Sequence, residues 1–214
     1  MTCNKHIKHL ATILACLLAL TCQAKKVVDI FDQTFDENLN SPKIVKSEVA
    51  QRVQDFQNSL AIDLIKSNLE VELTRNGEVI IVTIPADELF APNDTILKSK
   101  SKDVLSRLQK FTKQPGMFKM LLAMHSDNTG SREYLTRLTS ARVNSVFDWY
   151  AANGSTEAVV PYALADTMPL EDNNSMEKRR LNRRLEIYIV PNQDMVEKAK
   201  KGKITGTVVS KKRK

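Results

Sequence analysis

Apolar residues recur along the chain with changing periods, and each change marks an element. Val45, Val49, Val53, Phe56, Leu60 and Leu64 follow at spacings of four and three, one stripe of an amphipathic helix over about 42–66. Ser41-Pro42 ahead of it offers an N-cap and a first-turn proline. The period then drops to two. Leu69, Val71 and Leu73 alternate with polar residues, Asn76-Gly77 supplies the positive φ angles of a tight turn, and 78–84 resumes as a second strand closed by Pro85. Val104, Leu105, Leu108 and Phe111 predict a helix over about 98–113, stopped by Gln114-Pro115-Gly116. Residues 118–124 are a short apolar run between turn signals, a buried strand. A helix over 131–152 follows, with Leu135, Leu138, Val146 and Trp149 on one face and Asn153-Gly154 at its end. A short strand at 159–163, a polar loop at 166–184 closing on a short helix, a strand at 185–190 and a helix at 193–201 complete the pattern. Residues 25–40 are polar without a period and read as a linker. Strands alternating with helices after a hairpin predict an α/β sandwich, with helices packed on one face of a mixed β-sheet and the amphipathic helix preceding it.

Charge changes that picture at the ends of the chain. The sequence has 214 residues and a formal net charge of +7, which taken alone suggests an anionic partner. The first 24 residues hold two lysines and no acid, and the last 17 hold eight basic residues and no acid. Residues 25–197 hold 22 basic against 25 acidic residues, so the body is not a basic nucleic-acid-binding domain. Lys5 and Lys8 before the apolar run 10–20 form an export signal, with cleavage after Ala24 or, alternatively, lipid attachment at Cys22. Thr21, where a lipobox carries Gly or Ala, favours cleavage. All three cysteines lie in this leader and the body has one histidine, which excludes a Cys-rich zinc site, a Cys–His nucleophile and a disulfide framework. The expected divisions are a signal peptide at 1–24, linker and helix at 25–66, a folded domain at 67–191 and a basic tail at 192–214. Residues 25–68 are too few for an eight-stranded barrel.

The densest polar cluster is His125-Ser126-Asp127-Asn128-Thr129-Gly130, where a buried strand gives way to a helix, the end of an α/β sheet at which ligands gather. Arg142 follows on that helix, and spacing alone does not decide whether it reaches Asp127 or stands about 15 Å along the axis. A third cluster is Arg179-Arg180-Leu181-Asn182-Arg183-Arg184. Each has a plainer reading: Asp127 as a turn or helix cap, Arg142 as a solvated helix residue, the arginines as ion-pair partners of Glu186, Glu177 and Asp172, and His125 as a hydrogen-bonded core histidine.

These residues carry a family resemblance over about 69–191. The chain resembles the OmpA-like peptidoglycan-binding domain, the C-terminal domain of outer-membrane protein A and its relatives. The family's His-Thr-Asp-x-x-Gly turn is matched by His125-Ser126-Asp127-Asn128-Thr129-Gly130. Its Leu-Ser-x-x-Arg-Ala-x-x-Val helix is matched by Leu138-Thr139-Ser140-Ala141-Arg142-Val143-Asn144-Ser145-Val146. Pro169-Leu170-Glu171-Asp172-Asn173 and Arg179-Arg180-Leu181-Asn182-Arg183-Arg184-Leu185-Glu186-Ile187 match its closing segments, and Leu89-Phe90 with Leu97 its Phe-containing segment. The sequence departs from the pattern at Leu135, Met124, Val143 and Ala163-Leu164-Ala165.

The resemblance implies an exported, non-enzymatic protein that binds peptidoglycan without a covalent bond and tethers or scaffolds the envelope from the periplasm, possessing no cofactor or metal. Asp127 and Arg142 would grip the ammonium and carboxylate at the side-chain end of a diaminopimelate stem residue. Asn93 and Thr129 would join them, with His125, Asn128 and Arg183 in support. The departures motivate an alternative, a degenerate OmpA-like fold serving as a protein–protein interaction module with an outer-membrane or periplasmic partner. No nucleic acid is implied, and membrane association only through lipid or a partner.

Overall fold

The computed structural model describes residues 29–204; the leader with Cys22 and Ala24, and the tail beyond 204, lie outside the described residues. The period-two segments pair as their pattern demands. β1 (Glu70–Thr74) and β2 (Val79–Pro85) form the antiparallel hairpin, with Thr74 opposite Val79 at its base. The turn is longer than a two-residue one: Arg75, Asn76 and Gly77 all take positive φ. β5 (Arg184–Pro191) lies between β2 and β3 (Phe118–His125), antiparallel to both, and β4 (Val159–Ala165) runs parallel to β3, giving the order β1-β2-β5-β3-β4. β3 and β5 are buried along their whole length. That is why both read as near-continuous apolar runs.

Two cores follow from the side-chain alternation of these strands. Ile80, Leu122, Met124, Ile187 and Ile189 face the larger one. It is covered by α2 (Ser47–Lys66), α6 (Arg132–Asn153) and α8 (Gln193–Lys200), with Val53, Leu64, Val146 and Met195 as contacts. Val79, Leu121, Ala123, Tyr188 and Val190 face the other side. There α1 (Phe35–Leu39) lies across the strands, Phe35 packing edge-on to Tyr162 and Tyr188 at centroid separations of 5.3 and 5.1 Å. Residues 30–39 therefore do not form the linker expected of them. They were illegible because α1 is short and offers a single aromatic anchor instead of a period. The segment is tied down by charge as well. Buried Lys119 donates to Asn38 Oδ1 and the Ser41 carbonyl at 2.8 and 3.1 Å, and Arg75 donates to the Leu39 and Pro42 carbonyls. Burial, reinforced by the charge of Arg75, pushes the Lys119 ammonium down to about 8.

Two further expectations change. α2 begins at Ser47, later than predicted. The Ser41–Pro42 peptide is cis, and Val45 is 91% exposed, off the helical stripe. After the short α3 (Ala86–Leu89), the single helix expected over 98–113 divides into α4 (Ser101–Ser106) and α5 (Gln109–Thr112). Leu105, Leu108 and Phe111 recur every three residues and all are buried. The backbone tightens to match, with Leu108 N bonding Leu105 O and Phe111 N bonding Leu108 O.

One irregularity positions the site. The β3–β4 register shifts after Met124↔Ala163, so that His125 faces Ala165 and Ser126 N bonds the Ala165 carbonyl at 2.8 Å. Ala165 adopts φ 48, a conformation that glycine takes without steric cost. Ala165→Gly is therefore expected to raise the unfolding free energy by about 0.5–1 kcal/mol in urea titration. A clear loss of stability would contradict strain at this bulge.

Candidate ligand-binding site

The chain leaves β3 at His125 and turns through Ser126-Asp127-Asn128-Thr129-Gly130 into α6. Ser131, not Asp127, caps that helix, its hydroxyl accepting Tyr134 N at 3.2 Å. Asp127 instead binds its own turn, with Oδ1 accepting Thr129 N at 2.8 Å, and pairs through Oδ2 with Arg183 Nη1. Its side chain is only 8% exposed. Burial favours the protonated form. The Arg183 hydrogen bond, the Thr129 amide and hydroxyl, and the Arg183 charge outweigh it, holding the carboxyl below its ordinary value. Gly130 has φ +127, and a Cβ there would stand 2.9 Å from the Tyr134 ring, so glycine is required on both counts.

Arg142 comes from the middle of α6 and is also buried. Nε donates to the Asp94 carbonyl at 2.8 Å and Nη2 to the Ala91 carbonyl at 3.3 Å, while the guanidinium stacks 5.0 Å from the Phe90 ring centroid. These bonds hold the 90–97 loop against α6, helped by Ser145 Oγ on the Thr95 carbonyl at 2.7 Å and Tyr134 OH on Asn93 Oδ1 at 3.1 Å. Burial lowers the Arg142 guanidinium from its ordinary value and Arg183 adds to this, against the opposing influence of Tyr134 and Asp94. It remains cationic near neutrality.

The four arginines before β5 have four different partners. Arg179 donates to the Asn173 carbonyl at 2.8 Å, Arg180 pairs with Asp87 at 2.6 Å, Arg183 pairs with Asp127, and Arg184 pairs with Glu186 at 2.7 Å. Asn182, at the end of α7 (Met176–Asn182), is fully buried. Its amide oxygen accepts Leu170 N and Glu171 N, and its amide nitrogen donates to Glu171 O and Asn173 Oδ1. This clasp folds the 166–175 loop beside the Asp127 turn.

The result is a cleft of about 490 Å³ onto which Asp127, Arg142, Asn93, Thr129 and Arg183 all open, with Leu135, Leu138 and Met176 as apolar wall. Spacing left the distance between Asp127 and Arg142 open; they share this cleft. Helical side chains lean toward the N-terminus of their helix, which lets a long arginine midway along α6 do so. A neighbouring groove of about 550 Å³ along β2 and α4 shares Asp87 and Lys98 with it. Two expected supports stand elsewhere. His125, 1% exposed, alternates onto the opposite face of the sheet, with Nε2 3.2 Å from Glu186 Oε2. Asn128 is exposed outside the cleft, its amide directed to Asn173 Oδ1. The sequence reading missed Phe90, Tyr134 and Asn182 as organisers, and the Arg183–Asp127 pair. For Asn182 the only signal was its place in the arginine-rich motif. Among the described residues no group of His, Cys, Asp and Glu could hold a metal ion, and no helix is long and apolar enough to cross a membrane.

Comparison with known proteins agrees with the fold. No family model matches the chain. It is 25% identical over 122 residues to "Probable lipoprotein YiaD" of Escherichia coli, a match spanning 56% of this chain and only 56% of that protein's length. Among solved structures it is similar to a MotB-like protein of Desulfovibrio vulgaris, with a TM-score of 0.55 and 19% identity over 67% of this chain and 94% of that one. It is similar to the cell wall anchor of the T6SS of Pseudomonas aeruginosa, with a TM-score of 0.52 and 28% identity over 64% and 97%. The periplasmic domain of Helicobacter pylori MotB gives a TM-score of 0.51 at 18% identity over 62% and 94%. These names describe a lipoprotein, a MotB-like protein, a cell wall anchor and a periplasmic domain. The chain has the expected mixed β-sheet with helices packed on it, and it shares this fold with the MotB-like structures.

The cluster on the far side of the sheet has a consequence for acid stability. Burial opposes charge on Glu186. The approach of His125, the Tyr188 hydroxyl at 2.5 Å and the Arg184 charge overcome it and hold the carboxyl down to about 2. A depressed carboxyl stabilises the fold above its unfolded value, near 4.5, and loses that contribution as pH falls through about 2. Glu186→Gln is therefore expected to be about 3 kcal/mol less stable than the unmodified chain at pH 7, with the difference vanishing near pH 2 in urea titrations. A pH-independent difference would contradict this.

Proposed function

We propose that this is an exported, non-enzymatic protein that binds the peptide stem of peptidoglycan without covalent chemistry, tethering or scaffolding the cell envelope from the periplasm. The observation that carries the reading is the shared cleft. One buried acid and one buried guanidinium, from separate motifs, open onto the same space. A diaminopimelate side chain ends in an ammonium and a carboxylate, and a carboxylate with a planar guanidinium is the complementary pair. Asp127 takes the ammonium and Arg142 the carboxylate. Asn93 and Thr129, on the loops that flank the cleft, contact the backbone of the stem. Leu135, Leu138 and Met176 lie against the ligand's methylene chain. The similar P. aeruginosa structure is itself a cell wall anchor, which supports the class of ligand.

A second reading has an observation of its own. Ile96, Leu170, Met176 and Leu181 are 74, 58, 75 and 51% exposed on the two loops around the cleft and the helix beside them. An apolar rim of this kind suits a protein partner in the envelope.

Co-sedimentation with purified sacculi tests the first reading. Each charge-assisted contact is worth about 1.5–3 kcal/mol, so Asp127→Asn and Arg142→Ala should each weaken binding by about ten- to a hundredfold. Undiminished binding by both variants, with unchanged circular dichroism, would remove the proposed site. Recovery of an envelope protein by a chain that does not bind sacculi would favour the second reading.

A further inference from the structure

Asp127 is not free. Its Oδ2 is held by Arg183, and the two partners differ in access: the Asp127 side chain is 8% exposed and that of Arg183 is 39% exposed. A ligand ammonium that pairs with Oδ2 must therefore compete with the guanidinium already bound there. Arg183 has no other side-chain hydrogen bond among the described residues. Its backbone is fixed at the end of α7, where its carbonyl accepts Ala86 N at 2.9 Å and its amide donates to Arg179 O at 3.1 Å. The side chain is thus a single tethered arm across a cleft it shares with Arg142, near enough for their charges to repel. Arg142, by contrast, is spent on two loop carbonyls through Nε and Nη2, leaving Nη1 unused.

We infer that Arg183 is the specificity-determining residue of this cleft: it occupies Asp127 until a zwitterionic ligand end displaces it, then takes the ligand's carboxylate beside Arg142. This rests on the proposed wall-binding reading and deepens it. A buried carboxylate must stay paired, because leaving it alone is strongly destabilising. A ligand bearing only an ammonium replaces one ion pair by another and leaves Arg183 without a partner, so the exchange is nearly neutral. A ligand bearing ammonium and carboxylate on adjacent positions satisfies Asp127 with the first and gives Arg183 the second, so both guanidiniums and the acid end up paired. Arg183 is thereby a barrier to simple cations and a grip on zwitterions. The selected chemistry is a stem residue with a free carboxylate beside its side-chain ammonium, over lysine or a side-chain amide.

Calorimetric titration of the full chain with three synthetic stem peptides tests this, their third residue being diaminopimelate, its side-chain amide, or lysine. The unmodified chain should prefer the diaminopimelate peptide over the other two by about tenfold or more, the value of one charge-assisted contact. In Arg183→Ala, affinity for that peptide should fall by about tenfold while affinity for the lysine peptide holds or rises, narrowing the ratio by about tenfold and leaving only the part that Arg142 supplies. Arg183→Gln keeps the length and polarity of the side chain and should give the same narrowing. A preference that persists unchanged in both variants overturns this inference alone. No binding of any peptide by the unmodified chain overturns the wall-binding reading and this inference with it.

Discussion

Asp127 sits where β3 leaves the sheet, and a carboxylate in that place is stable only while amides and a cation face it. The Thr129 amide and the Arg183 guanidinium meet that demand, and each brings a segment with it. Thr129 belongs to the turn that delivers α6. Arg183 belongs to the junction of α7 and β5, which Asn182 clasps to the 166–175 loop. The bulge at Ala165 lets β4 accommodate the departing strand. One charge at the end of a central strand thus ties its own turn to the α7–β5 junction and, through Asn182, to the 166–175 loop. Arg142 does the same for the 90–97 loop. The cleft is the space left between these two anchored groups.

Its rigidity comes from below. β3 and β5 are buried on both faces, so the strand ends that present Asp127 and Arg183 cannot shift independently of the core. On the larger face α2, α6 and α8 close over Ile80, Leu122 and Ile187. On the other, the polar residues of β3 and β5 make a second layer under α1. Lys119 and Arg75 strap the N-terminal segment down, while His125, Glu186, Tyr188 and Arg184 form a compact charged cluster. On one sheet face a carboxyl is held down at about 2 because its partners favour the charged form, and an ammonium is pushed down to about 8 because burial disfavours it.

Much of this was legible because it rests on local pattern. The hairpin followed from alternation and Asn76-Gly77, β3 and β5 from apolar runs, and α6 from its stripe and the Asn153-Gly154 stop. What escaped lacked a local signature. α1 announces itself only through Phe35, whose partners Tyr162 and Tyr188 lie more than a hundred residues away. The division of α4 from α5 depends on spacing by threes, which resembles a helix until the core demands a tighter turn. Within the site, motif order named Asp127 and Arg142, and parity along β3 places His125 on the far face once the strand's length is known. The pairing of Arg183 with Asp127 joins residues fifty-six apart, and no composition or period encodes it. The plainer reading of the arginines as ion-pair partners was right in kind, yet only Arg184 met an acid that reading named.

The central claim is that the Asp127–Arg142 cleft holds the stem peptide. Nuclear magnetic resonance of the labelled chain, titrated with a diaminopimelate stem peptide, tests it most directly. The account predicts saturable shifts in the Thr129 amide and in the Arg142 and Arg183 Nε–H signals, with Lys119 and Glu186 on the far face unmoved. Shifts confined to the far face, or to the groove along β2 and α4, would contradict it.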